Sequence, residues 1–238
     1  MSQKGITINN AEQLVQRKFL TKVYGWMSLA LLLSGITAFI VATSPFLINL
    51  VFGNKIGFPL LAIGEIVLVW WLSASIRKIS TLAASIAFLA YSVINGATLA
   101  SIFHVFSLNS IIVVFLVSAL MFIGMSLYGV FSKSDIMSFG RYFSMAIIGL
   151  IVASVINIFL KSSGFNWVIS IVTVVIFTGL TAYDTRKMIL VSQQADGSDM
   201  FQKASIIGAL ELYLDFINIF LALLRIFGKS TKTFLILS

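Results

Sequence analysis

Apolar residues run along this chain in long blocks, each closed by a short polar or charged cluster. Between Val23 and Asn54 there is no charged side chain at all. A helix crosses the hydrocarbon core of a bilayer with about 20 predominantly apolar residues. By that measure seven spans are predicted, at roughly 20–43, 59–76, 79–103, 110–131, 142–160, 165–188 and 204–226. Only "SIRKIS" separates the second from the third, which predicts a tight helical hairpin with Arg77 and Lys78 at the interface. Both prolines, Pro45 and Pro59, lie in or beside the first connection, so no later helix is kinked by proline. Glycines 96, 124, 149, 179 and 208 fall inside or near later spans, where small residues let helices approach closely. The expected fold is an all-α integral membrane protein, a seven-transmembrane-helix bundle. It comprises a polar N-terminal tail (1–19), a single membrane domain (20–228) and a short C-terminal tail (229–238).

Composition supports the same class. Of 238 residues, 59% are hydrophobic and 10% charged, whereas soluble domains keep about a quarter of their residues charged. So few charges cannot hydrate the surface of a soluble core. The net charge of +8 raises nucleic acid as a partner, but the bases sit at the edges of apolar blocks and form no basic stripe with interleaved aromatics. They fit headgroups instead. With an inside N-terminus, eleven bases fall inside and five outside, the orientation expected from the positive-inside rule. Arg225, Lys229 and Lys232, at and beyond the end of the last span, run against that pattern and leave open six full spans with a re-entrant final segment. There is no cysteine, hence no disulfide framework or thiolate metal site. The N-terminus is too polar for a cleaved signal peptide.

The acids change the picture. Four of the eight, Glu65, Asp184, Glu211 and Asp215, fall in or at the edge of apolar spans, while all sixteen bases lie near span ends or in loops. An aspartate facing lipid costs about 2.5–3.5 kcal/mol, so such groups face a bundle interior or a wet cavity. An interior lined by acids suits a cation or a proton. Asp184 and Asp215 lie on consecutive predicted helices. If they approach, both cannot ionise cheaply, and the pair shares a proton, a candidate pH sensor. Otherwise each is protonated singly or paired with a base and pins helices together. Glu211 stands one turn from Asp215, where like charges repel. Asn218, three residues beyond Asp215, is placed to donate to a carboxylate, as Tyr183 and Tyr213 are if they point inward. Glu65, mid-span in the second helix, either lines a pore or makes interhelical hydrogen bonds in its neutral form. Arg77 is a possible counter-ion, or it snorkels at the interface. His104 reads as a surface residue, and Trp26, Trp70, Trp71 and Trp167 as interfacial or packing residues.

Several segments resemble the Bax inhibitor-1 family, also called the transmembrane Bax inhibitor motif family, and its bacterial members in particular. "GLTAYDTRKM" around Asp184 and "LYLDFINIFLALLRIFG" around Asp215 resemble its two signature segments. "VYGWMSLALLLSGITA", "SIFHVFS" and "MSLYGVFSKSDIMSFG" are similar to its bacterial members, so the likeness spans about Lys18 to Gly228. The resemblance implies a bundle with the last helix central, in the bacterial inner membrane. It also implies a pH-sensitive calcium leak in which Asp184 and Asp215 form the gating pair, open when deprotonated and closed when protonated. The pair is then also the transient calcium contact. In a bacterial relative an arginine near the end of the second helix engages the pair. Arg77 is the nearest counterpart here, at a different spacing. Glu211 departs from the small polar residue expected there, and with Glu65 and Asn218 is a candidate pore or cation-lining residue.

The expected function is therefore a carboxylate-gated cation leak, calcium suiting hard carboxylate oxygens, with no bound cofactor. Its partners are the lipid bilayer, calcium, protons and other membrane proteins. A proton-coupled transporter is a relative of that reading. A non-conducting regulator of membrane protease or stress-response partners is the alternative. An intramembrane aspartyl protease is disfavoured, because the second aspartate sits in "LYLD" and no proline follows Pro59, so the protein is not expected to be an enzyme.

Overall fold

The computed structural model describes residues 2–132, 135–194 and 198–231, the first dozen by backbone alone. Among them nine α-helices follow one another: α1 (Ser2–Thr43), α2 (Pro45–Phe52), α3 (Gly57–Ser75), α4 (Thr81–Leu99), α5 (Ile102–Val105), α6 (Leu108–Phe131), α7 (Gly140–Leu160), α8 (Ser163–Ser192) and α9 (Asp199–Phe227). Seven helical segments are long and apolar enough to cross a membrane: Leu14–Thr43, Gly57–Ser75, Thr81–Val105, Leu108–Phe131, Ile136–Leu160, Ser163–Ser192 and Asp199–Phe227. They coincide with the seven predicted spans. The main departure is at the ends, where α1, α8 and α9 continue past the apolar blocks. The predicted N-terminal tail is helical from Ser2, and of the predicted C-terminal tail residues 232–238 lie outside the described residues.

The breaks between helices are chemically legible. Ser44 caps α2, its hydroxyl accepting from the Leu47 N–H at 3.4 Å, and Pro45 occupies the first turn, where its missing N–H costs nothing. Ser80 caps α4 by accepting from Ala83 N–H at 3.2 Å, and Ser107 caps α6 by accepting from Ser110 N–H at 3.3 Å.

The chain gathers into two compact units. One comprises the chain up to Val105 with Leu190–Tyr213. Here α1 and α3 pack against α4. The buried face of α4 follows helical period through Ala84, Phe88, Tyr91, Ser92, Asn95, Gly96 and Leu99. Gly96 makes the α1 contact close, since a Cβ there would sit 2.6 Å from the Ser34 carbonyl oxygen.

The second unit comprises Phe106–Ile189 with the chain from Leu214. A Cβ at Gly129 of α6 would lie 2.5 Å from the Ala182 carbonyl of α8, so those backbones also meet closely. Phe216 of α9 packs edge-on against Phe115 and Phe122 of α6, at 5.2 and 5.8 Å between ring centres. Gly124 and Gly149, expected at packing contacts, meet nothing within 4 Å. Both point away from the protein, where a small residue confers no close approach.

Candidate carboxylate sites in the membrane helices

In the first unit Glu65 is the centre of a polar network. It sits mid-way along α3, half-buried, facing Asn95 and Thr98 of α4. Those two residues are three apart, hence on one face of their helix. Asn95 Nδ2 donates to Glu65 Oε2 at 3.1 Å, and Thr98 Oγ1 donates to Oε1 at 2.7 Å. The network extends inward. The Tyr213 hydroxyl of α9 lies 2.8 Å from Asn95 Oδ1 and 2.7 Å from Ser34 Oγ of α1. Ser34 Oγ in turn lies 2.7 Å from the Ser92 carbonyl. Ser34, Ser92, Asn95 and Tyr213 are all buried, and the Tyr213 ring is fixed by edge-on contacts with Phe88 and Tyr91 at 6.1 and 5.8 Å. Buried polar groups must be hydrogen-bonded to be tolerated, and here they satisfy one another.

In the second unit Asp184 of α8 and Asp215 of α9 are both buried, 8% and 3% exposed. On either side of Asp184 the α8 surface carries Thr181 and Thr185, themselves buried. Thr185 Oγ1 donates to Ser126 Oγ of α6 at 3.3 Å, and the Gly129–Ala182 approach holds α6 against this stretch. Asp215 precedes Phe216, which anchors α9 in the aromatic cluster of α6. Both carboxylates thus stand on segments whose positions are set by tight packing.

The remaining predicted residues fall differently. Glu211 is half-buried on α9 within the first unit. Asn218 donates from Nδ2 to the Leu214 carbonyl of its own helix at 2.8 Å. Arg77 is exposed in the turn between α3 and α4 and makes no ion pair among the described residues. Tyr183 is half-buried and packs on Phe143 at 5.8 Å. His104 is exposed, as are Trp70, Trp71 and Trp167. Among the described residues no three His, Cys, Asp or Glu side chains cluster in a metal-binding group. Ser34, Ser92, Asn95 and Thr98 were not anticipated from sequence. The available signal was the recurrence of Tyr91 or Ser92, Asn95 and Thr98 at helical spacing in an apolar block, which marks a polar stripe on one face.

Comparison with known proteins is consistent along the whole fold. The family model described as inhibitor of apoptosis-promoting Bax1 matches residues 16–232. The Escherichia coli K12 inner membrane protein YbhL is 45% identical over 213 residues, 89% of this chain and 91% of that one. A Borreliella burgdorferi protein is 39% identical over 225 residues, 94% and 97% of the two chains. A Rickettsia prowazekii protein, RP147, is 35% identical over 213 residues, 90% of each chain. With seven apolar helices, buried carboxylates and this extent of similarity, the chain is an integral membrane protein that belongs to the Bax inhibitor-1 family.

Proposed function

We propose that the protein is a pH-sensitive cation leak of the bacterial inner membrane, with calcium the permeant ion and the N-terminus inside. Asp184 and Asp215 form its gating pair, and the last helix is the central one. The observation that carries this reading is the burial of two aspartates on two membrane helices of one compact unit. Ionised carboxylates in such surroundings are costly, so a proton is their cheapest partner, and its loss leaves charge that favours water or a cation. In this reading low pH keeps the pair proton-bound and the bundle closed. Deprotonation repels the two carboxylates and opens the path. Calcium contacts the pair only in transit, since two carboxylates fall short of the six to eight oxygens that a lasting calcium site supplies. Glu65 and Glu211 add acidic character along the helices, and no catalytic chemistry is assigned.

The experiment is calcium entry into dye-loaded proteoliposomes between about pH 6 and pH 8, comparing wild type with Asp184→Asn and Asp215→Asn. Flux should rise with pH in the wild type and lose that dependence in both variants. Unchanged pH dependence in Asp215→Asn would sink the aspartate-pair gate. Absence of flux above empty liposomes at every pH favours the alternative, a non-conducting regulator that binds other membrane proteins, with the acids as structural pins.

A further inference from the structure

Four contacts run in series from Glu65: Oε2 to the Asn95 amide (3.1 Å), the amide to the Tyr213 hydroxyl (2.8 Å), that hydroxyl to Ser34 Oγ (2.7 Å), and Ser34 Oγ to the Ser92 carbonyl (2.7 Å). Oxygen and nitrogen atoms this close need one proton between each pair. The groups supply a limited number. Asn95 places one N–H in the row, because its oxygen must face the other neighbour, and Tyr213 and Ser34 bring one O–H each. Three protons cannot fill four contacts while Glu65 is a carboxylate. The fourth is available only when Glu65 itself is protonated. Ala30, whose carbonyl is 2.9 Å from Ser34 Oγ, adds a further acceptor and no proton.

We propose that Glu65 is a proton-binding site, separate from the aspartate pair, whose occupancy is passed to the α1–α4 contact by reversing this chain of hydrogen bonds. With Glu65 ionised, the Asn95 N–H points to Oε2 and Tyr213 donates to the Asn95 oxygen, which leaves Ser34 one proton for two contacts, with the Tyr213 oxygen and with the Ser92 carbonyl. Whichever contact takes it, the oxygens of the other then face each other with no proton between them. With a proton on Oε2, Glu65 donates to the Asn95 oxygen after a half-turn of the amide. Asn95 then donates to Tyr213, Tyr213 to Ser34 and Ser34 to the Ser92 carbonyl. All four contacts are filled, and Thr98 donates to Oε1 in both states. The only covalent change is one O–H bond formed on Glu65 as a hydronium ion gives up its proton and is left as water. The consequence falls where Gly96 allows α1 and α4 to touch. In the ionised state one of the two contacts that Ser34 makes there repels, and in the protonated state both bind.

Few other titratable groups bear on Glu65. Tyr213 of α9 reaches it through Asn95, at 2.8 Å, and Tyr91 of α4 packs edge-on against Tyr213 at 5.8 Å. The helix α2 carries none, and Lys55 precedes the start of α3 by two residues, so about two helical turns separate Glu65 from that end. On α1 the nearest is Tyr24, ten residues and about 15 Å from Ser34 along the helix. Glu211 is two residues from Tyr213, which turns it about 200° around α9.

The proposal requires no ion flux and is tested on the purified protein in lipid vesicles by pH-difference infrared spectroscopy. A protonated carboxylic C=O band that disappears in Glu65→Gln identifies the group. Cooperative hydrogen bonding strengthens each link of a chain, so that band should move to higher frequency in Tyr213→Phe and also in Ser34→Ala. Ser34 makes none of the hydrogen bonds to Glu65, so a merely local packing role would leave the band in place. The Tyr213 ring C–O band should shift with pH in wild type and stay fixed in Glu65→Gln. A Glu65 band unmoved by Ser34→Ala overturns the chain, and absence of any Glu65 carboxylic band across the pH range overturns the site. Where Tyr213→Phe fails to fold, Ser34→Ala and the Glu65→Gln tyrosine signal decide the question.

Discussion

α7 and α9 would be ranked the wrong way round by a soluble-protein rule. The span ending in α7 is the more apolar of the two, yet none of its apolar window is buried. α9 holds Glu211 and Asp215 and is 72% buried over its window. In water the greasier helix would be the core. In lipid it need not be, because hydrocarbon solvates Leu and Ile as well as another helix does, and no hydrophobic force drives it inward. What must leave the lipid is the helix with carboxylates, hydroxyls and amides. Between α7 and α9 burial therefore follows polarity.

That contrast can be broken or sharpened. The largest effect is expected from Leu212→Ala in α9, where the side chain is 0% exposed and its removal leaves a cavity costing about 2–5 kcal/mol. The matching Ile158→Ala in α7, 69% exposed, should stay within about 0.5 kcal/mol. Reversible unfolding in mixed micelles reads both, and equal losses would refute the assignment of α7 to lipid. A second pair changes sign. Alanine at Gly96 meets the Ser34 carbonyl and should destabilise by about 1–3 kcal/mol. At Gly149 nothing lies within 4 Å, and the gain in helix propensity should stabilise by up to about 1 kcal/mol. Stabilisation by both would mean that α1 and α4 have room to spare.

The smallest effect is at the start of α9. Asp199 accepts from Thr81 Oγ1 and pairs with Lys203 at 2.9 Å, but it is exposed. Surface pairs contribute little and are screened by salt. Asp199→Asn should leave the unfolding midpoint unchanged at high salt, and a loss that persists there would show that this contact anchors the helix.

The fold was more legible than the sites. Seven spans were readable because crossing hydrocarbon demands an uninterrupted apolar run, and their ends were missed mainly where α1, α8 and α9 continue beyond it and where the fifth span begins at Ile136. Asp184, Asp215 and Glu65 stood out because a charge in such a run has to be accounted for. Their surroundings did not stand out. Asn218 turned out to bond its own helix, Arg77 lies exposed in its turn, and Gly124 and Gly149 are open, since which face of a helix meets protein depends on neighbours that the local pattern does not name.

Sequence by itself determined an all-helical membrane protein, its seven crossings and the rarity of its buried acids. These follow from the solvent, acting on each segment independently. Only the tertiary structure decided that Glu65 meets Asn95 and Thr98, and that Ser34 meets Tyr213 across 179 positions of chain. Such pairings are set by close packing at Gly96 and by the need of each buried donor for an acceptor, and both conditions exist only once the helices are side by side.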